Sequence, residues 1–131
     1  MNVELIAVTR YLRGNGTPEE LLEHAGRVCY RSASRGDPAK FLQARVREGH
    51  ESLIEHLRFI FKVEQASIQD LFNVYRAAQG VGLTIGSEFT LMSANARSLR
   101  DMVRRSKADL ALALVEAAAE ECPVVFQYLA K

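Results

Sequence analysis

The chain has 131 residues, of which 48% are hydrophobic and 25% are charged, and this size and composition suit one compact domain with a single core. Its 17 basic and 16 acidic residues leave a formal net charge of +1 at pH 7. That balance excludes the strong positive field with which proteins wrap extended nucleic acids. We therefore expect one domain over residues 1–131, in which any anion site must be local.

The sequence carries neither a signal-peptide pattern nor an apolar run long enough to suggest a membrane span. Its two cysteines, Cys29 and Cys122, lie within helix-like apolar patterns. Buried and unpaired thiols are typical of proteins from a reducing compartment. We expect a cytoplasmic protein that has no membrane partner.

The first half of the chain predicts one strand and two helices. Residues 3–8 form a short β-branched run that is typical of a strand. Thr17-Pro18-Glu19-Glu20 is a capping box with proline at the first helical position, so a helix should follow to about Tyr30. Asp37-Pro38 gives the same start signal for a second helix, which Gly49 should end.

Residues 57–63 alternate between apolar and polar side chains, which is the period-two pattern of a half-buried strand. The predicted inner face of this strand is formed by Leu57, Phe59, Phe61 and Val63. Ser67 can then cap a third helix, and Gly80 should stop it. The apolar stripe of that helix is formed by Ile68, Leu71, Phe72 and Tyr75.

A hairpin and two helices are predicted for the last third of the chain. Gly86-Ser87 suits a tight turn between strands over residues 81–85 and 89–92. Asn95 should begin a fourth helix, and residues 108–121 form a fifth that is apolar around most of its circumference. Such a helix needs cover on several sides, either in the middle of the domain or against another subunit. The whole pattern predicts an α/β (α+β) domain, a small antiparallel sheet packed by four to five helices.

The first candidate site is the polar segment Gly49-His50-Glu51-Ser52-Leu53-Ile54-Glu55-His56, which precedes the predicted inner strand. Its spacing argues against zinc, because an HExxH helix would need histidine where Ile54 stands and an HxxEH helix would need glutamate where Leu53 stands. Two interpretations remain. The polar side chains either hydrogen-bond locally, or they form an edge that binds a heteroaromatic ligand and its ribityl or phosphate groups.

The second candidate site is the predicted fourth helix, which carries cations at three- and four-residue spacing and therefore on one side. These cations are Arg97, Arg100, Arg104 and Lys107. A solvated helix face explains such a stripe without any ligand. The preceding Asn95 favours an anion site, because a capped helix N-terminus combines free N–H groups, the positive end of the helix dipole and a nearby guanidinium.

Three segments, in this order, resemble the flavin-dependent thymidylate synthases: RVCY, GHESLIEHLRFIFKVE and NARSLRDMVRR. The resemblance extends over most of the chain, and its most specific part is the GHES-x-x-EH motif followed by an aromatic-x-aromatic strand. It implies a homotetramer that carries FAD at subunit interfaces. It also implies reductive methylation of dUMP to dTMP with methylene-tetrahydrofolate and a nicotinamide reductant.

The same resemblance implies which side chains bind the two ligands. The residues expected along FAD are His50, Ser52, Glu55, His56, Asn95, Arg97 and Asp101. The residues expected beside the nucleotide substrate and its phosphate are Arg76, Ser87, Arg100, Arg104 and Arg105. No catalytic residue and no metal ligand is assigned.

The chain departs from the family pattern on the substrate side. Where the family helix ends in Arg-His-Arg, only Arg76 remains. Asp101 replaces a second asparagine, and Ser106 stands where the family has an arginine that polarises uracil. Three hypotheses stay open: a FAD-binding synthase-like protein, a non-catalytic regulatory or assembly subunit, and an enzyme that acts on a different nucleotide.

Overall fold

The structure is a computed structural model that describes residues 1–30, 51–123 and 125–126. Its elements are β1 (Asn2–Val8), α1 (Pro18–Tyr30), a 3₁₀ helix (Glu51–His56), β2 (Arg58–Glu64), α2 (Ile68–Arg76), β3 (Gly82–Ile85), β4 (Thr90–Asn95), α3 (Ala96–Ser106) and α4 (Asp109–Glu121). The helix predicted between Asp37 and Gly49 lies outside the described residues, and so does His50.

The strands form one four-stranded sheet in the order β1-β2-β4-β3, with every neighbouring pair antiparallel. The alternation predicted for β2 is confirmed, because Phe59, Phe61 and Val63 are buried. Leu57 is also buried, but it precedes the strand. The predicted α+β class, a small antiparallel sheet packed by helices, is confirmed.

All four α-helices of the described ranges contribute to one core on the inner face of this sheet. Their core side chains include Leu22, Leu71, Leu99 and Leu114. Most apolar side chains of α4 are therefore buried against other elements of the same chain, although Leu112 stays exposed. Cys122, which follows α4, is buried and carries a free thiol. No helix in the described part of the chain is long and apolar enough to cross a membrane.

Local capping signals fix where two of these helices begin. Thr17 and Glu20 form the expected capping box: the Thr17 hydroxyl accepts from the Glu20 backbone N–H at 3.3 Å, and the Glu20 carboxylate accepts from the Thr17 backbone N–H at 3.3 Å. Ser67 caps α2, because its hydroxyl accepts from the Asp70 N–H at 3.1 Å. Both start predictions are confirmed.

The buried face of α2 differs from the predicted stripe. Leu71 and Val74 are buried, whereas Ile68, Phe72 and Tyr75 are 58%, 44% and 43% exposed. Placing all four predicted side chains on one inner face was therefore wrong. The helix turns the edge that includes Leu71 toward α3 and α4, so its second apolar edge faces solvent.

The β3–β4 hairpin turns one residue later than predicted. The Gly86 N–H donates to the Phe89 carbonyl at 3.0 Å, so Ser87 and Glu88 form the tip and Phe89 belongs to the turn. Gly86 does not take a left-handed conformation. It is required because a Cβ there would lie 2.7 Å from the Phe89 carbonyl oxygen.

Candidate functional site

A cavity of about 400 Å³ lies beside the start of α3, between the 3₁₀ helix and the segment that follows α2. Its volume falls within the roughly 300–1,000 Å³ of small-molecule sites. Five of the residues predicted to bind ligands line it: Glu55, Asn95, Arg97, Asp101 and Arg105. Three further lining residues were not predicted: Gln79, Gly80 and Ser98.

Asn95 connects the sheet to this cavity. It is the last residue of β4 and the N-cap of α3, with extended backbone angles. Its Oδ1 accepts from the Ser98 N–H at 2.8 Å, and the next N–H, that of Ala96, donates to the Leu57 carbonyl at 2.9 Å. The predicted helix start is confirmed. The Asn95 Nδ2 makes no hydrogen bond within the described ranges, and it is therefore a donor available to a ligand.

The opposite wall is the segment of Gln79 and Gly80, and two hydrogen bonds hold it. The Ser98 hydroxyl donates to the Gln79 carbonyl at 2.5 Å. The Arg58 Nη2 donates to the Gly80 carbonyl at 2.9 Å, while its Nε donates to the Ser93 hydroxyl at 2.9 Å. Gly80 has φ +76°, a conformation that glycine adopts at little cost. The wall is therefore fixed to both the sheet and α3.

A salt bridge joins the two candidate segments inside the cavity. The Arg97 Nη1 donates to the Glu55 Oε1 at 2.7 Å, across 42 positions of sequence. The two side chains are 41% and 44% exposed. The polar segment before β2 and the first turn of α3 therefore meet at one place, and the resemblance implies that both lie along FAD.

Arg100 does not belong to an exposed cationic stripe. Its side chain is 4% exposed, and its Nε and Nη2 donate to the Asp101 Oδ1 at 3.1 and 2.8 Å. The interpretation of the four cations as one solvated face does not hold for Arg100, because it lies next to the buried Leu99 and packs into the domain. Arg100 does not line the cavity, and its contact with the nucleotide substrate stays a prediction. The contact also neutralises the Asp101 carboxylate that lines the cavity.

Arg105 lies two turns beyond Arg97 on the same side of α3. Its Nη1 donates to the Ala77 carbonyl at 3.3 Å, which links α3 to the last turn of α2. Its guanidinium is the second cation of the cavity lining. Arg97 and Arg105 are therefore the two cations that a ligand in this cavity would meet among the residues that the structure describes.

Four other predicted residues do not line the cavity: His56, Arg76, Ser87 and Arg104. His56 ends the 3₁₀ helix and is exposed outside the cavity lining, and Ser52 lies in the same helix. Arg76 is exposed at the end of α2, where its Nη2 donates to the Asn73 Oδ1 at 3.3 Å. Ser87 lies at the tip of the hairpin, and Arg104 faces solvent on α3. Their roles in binding stay predictions.

The residues that sequence reasoning missed carry weak signals. Ser98 stands three residues after an N-cap asparagine, a position whose N–H the cap engages, so it could have been found. Gly80 was interpreted only as a helix stop. Arg58 was assigned only to the outer face of its strand, and nothing in the sequence marks Gln79.

The cavity presents balanced charge and mixed hydrogen-bonding groups. Its lining holds the carboxylates of Glu55 and Asp101 and the guanidinium groups of Arg97 and Arg105. In the described ranges, no three His, Cys, Asp or Glu side chains lie close enough together to hold a metal ion. The Arg97 guanidinium beside the N-terminus of α3 suits a phosphate, the Arg105 guanidinium adds positive charge in the last turn of the same helix, and the Asn95 amide suits a sugar or ribityl hydroxyl.

Comparison with known proteins gives one family and a set of structures. The family model described as "Thymidylate synthase complementing protein" matches residues 7–76. A flavin-dependent thymidylate synthase ThyX from Helicobacter pylori, complexed with FAD and dUMP, is 17% identical, with a TM-score of 0.72 over 100% of both chains. A second ThyX structure from the same organism, with FAD and dUMP, is 19% identical, with a TM-score of 0.69 over 100% of both chains. No curated protein matches the chain. At these identities the structures show a shared fold.

Proposed function

Because the chain belongs to the thymidylate synthase complementing protein family, we propose that it binds the flavin nucleotide FAD in the cavity at the start of α3. The observation that carries this proposal is the Glu55–Arg97 contact, which joins the two motifs of the family resemblance across one cavity. Two structures of Helicobacter pylori ThyX, which has the same fold, contain FAD and dUMP, and this supports the same ligand class.

The residues of the cavity fit the phosphate-bearing part of FAD. Arg97 and Arg105 supply positive charge, and the N-terminus of α3 adds the positive end of its dipole. Asn95 Nδ2 offers a donor for a ribityl or ribose oxygen. The contact with Arg100 offsets the negative charge that Asp101 would otherwise bring close to the phosphates. When bound, a flavin supplies the hydride-transfer chemistry that side chains lack.

The dUMP side of the site is less complete within one chain. Of the five residues predicted to bind the nucleotide substrate, only Arg105 lines the cavity. We propose that a cytoplasmic homo-oligomer, a tetramer as the resemblance implies, brings a second subunit to this cavity and completes it. The exposed apolar edge of α2, formed by Ile68, Phe72 and Tyr75, supplies surface for such an assembly.

FAD titration of the purified protein tests the binding proposal directly. We expect a flavin absorption spectrum on the isolated protein or saturable binding on titration, weakened about tenfold or more by Arg97→Ala, because a charge-assisted hydrogen bond is lost. Arg13→Ala is the matched control, since Arg13 is exposed in the loop before α1. Absence of saturable binding at millimolar FAD would overturn the proposal.

Catalysis needs a separate measurement. The family reaction is tested by dTMP formation from dUMP, methylene-tetrahydrofolate and a nicotinamide reductant with the FAD-loaded protein. Formation of dTMP assigns the synthase activity to this chain. Tight FAD binding without dTMP formation instead favours the non-catalytic alternative, a regulatory or assembly subunit.

A further inference from the structure

We infer that Glu55 sets the affinity of this cavity for phosphate by competing with the ligand for Arg97. The inference rests on the proposed nucleotide site and goes beyond it, because it gives a specificity role to an acidic residue on the cavity wall. The Glu55 carboxylate occupies an anion position on the Arg97 guanidinium, at 2.7 Å. A phosphate that reaches Arg97 must displace that carboxylate or share the guanidinium with it.

Glu55 is placed so that it can move away. Its side chain is 44% exposed, and it lies at the end of a short 3₁₀ helix rather than within a sheet or long helix. Exposed ion pairs of this kind contribute little net stability, because water solvates both partners when they separate. Exchange of the carboxylate for a phosphate therefore costs the fold little.

The second acid of the cavity lining is held differently. The Asp101 side chain is 18% exposed, and two nitrogens of the 4%-exposed Arg100 donate to its Oδ1. Removing that carboxylate would leave a buried guanidinium without this contact, which is costly. Asp101 is thus a fixed part of the wall, and Glu55 is the acid that can exchange with a ligand.

The charges of the cavity lining determine how Glu55 should affect phosphorylated and neutral ligands. With Glu55 in place, the two carboxylates and two guanidinium groups among the described lining residues cancel. With Glu55 displaced, the cavity presents net positive charge to the ligand. A neutral ligand gains nothing from this exchange, whereas a phosphate gains a charge-assisted contact to Arg97. Glu55 should therefore lower the affinity for phosphorylated ligands and leave that for neutral ones unchanged.

Riboflavin and FMN test the inference, since they differ only in the phosphate and both report binding by fluorescence. In Glu55→Gln we expect the Kd for FMN to fall about threefold to tenfold, while the Kd for riboflavin stays within about a factor of two. Glu88→Gln is the control for net charge, because Glu88 is exposed at the hairpin tip away from the cavity. It should leave both constants unchanged.

A double substitution separates competition from a general charge effect. In an Arg97→Gln background, Glu55→Gln should no longer tighten FMN, because the shared guanidinium is gone. An unchanged ratio of the FMN and riboflavin constants in Glu55→Gln would overturn the inference and leave the proposed function intact. Weaker FMN binding would also overturn it, since Glu55 would then orient Arg97 for the ligand. No flavin binding by either the unaltered chain or Glu55→Gln would overturn both.

Discussion

The hydroxyl of Ser98 donates to the backbone carbonyl of Gln79 at 2.5 Å and so joins the first turn of α3 to the wall on the other side of the cavity. Ser98 is only 3% exposed, which keeps water from replacing this contact. Two parts of the candidate site therefore depend on one buried side chain.

We predict that Ser98→Ala lowers the free energy of unfolding by about 1–2 kcal/mol, because it leaves a carbonyl without its donor. FAD should also bind more weakly, since the wall is no longer held against α3. Urea unfolding and FAD titration measure the two effects. Glu88→Ala, at the exposed hairpin tip, is the control and should change neither.

Asn95 allows capping to be separated from ligand binding. Asn95→Ala should cost about 1 kcal/mol of stability, because α3 loses its N-cap. Asn95→Asp should keep most of that stability, since aspartate caps helices as well, but it puts a negative charge where the Nδ2 donor stood. We expect FAD affinity to fall in both variants. Normal affinity in Asn95→Asp would show that the ligand phosphate does not lie near the start of α3.

The exposed edge of α2 gives a prediction about assembly. Phe72→Glu places a charge in the middle of the edge formed by Ile68, Phe72 and Tyr75, and it should reduce the mass measured by sedimentation. Stability should change little, because Phe72 is 44% exposed in the single chain. Leu112→Glu changes an equally exposed side chain on α4 and should not alter the mass. A mass that is unaltered by Phe72→Glu would exclude this edge as the contact.

The capping box of α1 predicts an acid-dependent change in stability. Hydrogen bonds from the Asn15 backbone N–H and from Thr17 lower the pKa of Glu20 below its ordinary value of 4.5. The ionised carboxylate is therefore favoured in the folded state, so its stabilising effect is present above that ordinary pKa and is lost as the pH falls through the lower, folded value. When unfolding is measured at stepwise lower pH, the unfolding midpoint of Glu20→Gln should fall less steeply than that of the unaltered protein. Identical acid profiles would contradict this assignment.

Local signals in the sequence predicted the local features of this fold. The caps at Thr17, Ser67 and Asn95 and the alternation of β2 each depend on neighbours within a few residues, and the structure confirms them. The resemblance brought Glu55, Asn95 and Arg97 into one predicted site, and the structure places all three on one cavity. Their contacts with FAD stay predictions.

The missed features depend on tertiary packing. Both edges of α2 are apolar, so the helix pattern alone could not tell which one would be buried. The contact from Arg58 to Gly80 spans 22 positions, and nothing local marks it. Arg100 was predicted to share one side of the helix with Arg97, Arg104 and Lys107, but α3 turns its side chain inward beside Asp101. Only the arrangement of helices around the sheet decides such cases.

β4 passes into α3 without a loop, since Asn95 ends the strand, pairs with Arg58 in the sheet register and caps the helix. The register between β2 and β4 thus determines which residue caps α3. No hinge separates β4 from α3. One inserted residue in β4 would reverse its inner and outer faces and move a different side chain into the capping position. A substitution in β4 or α3 therefore changes one side chain of the site, whereas a change in the length of β4 displaces the whole site.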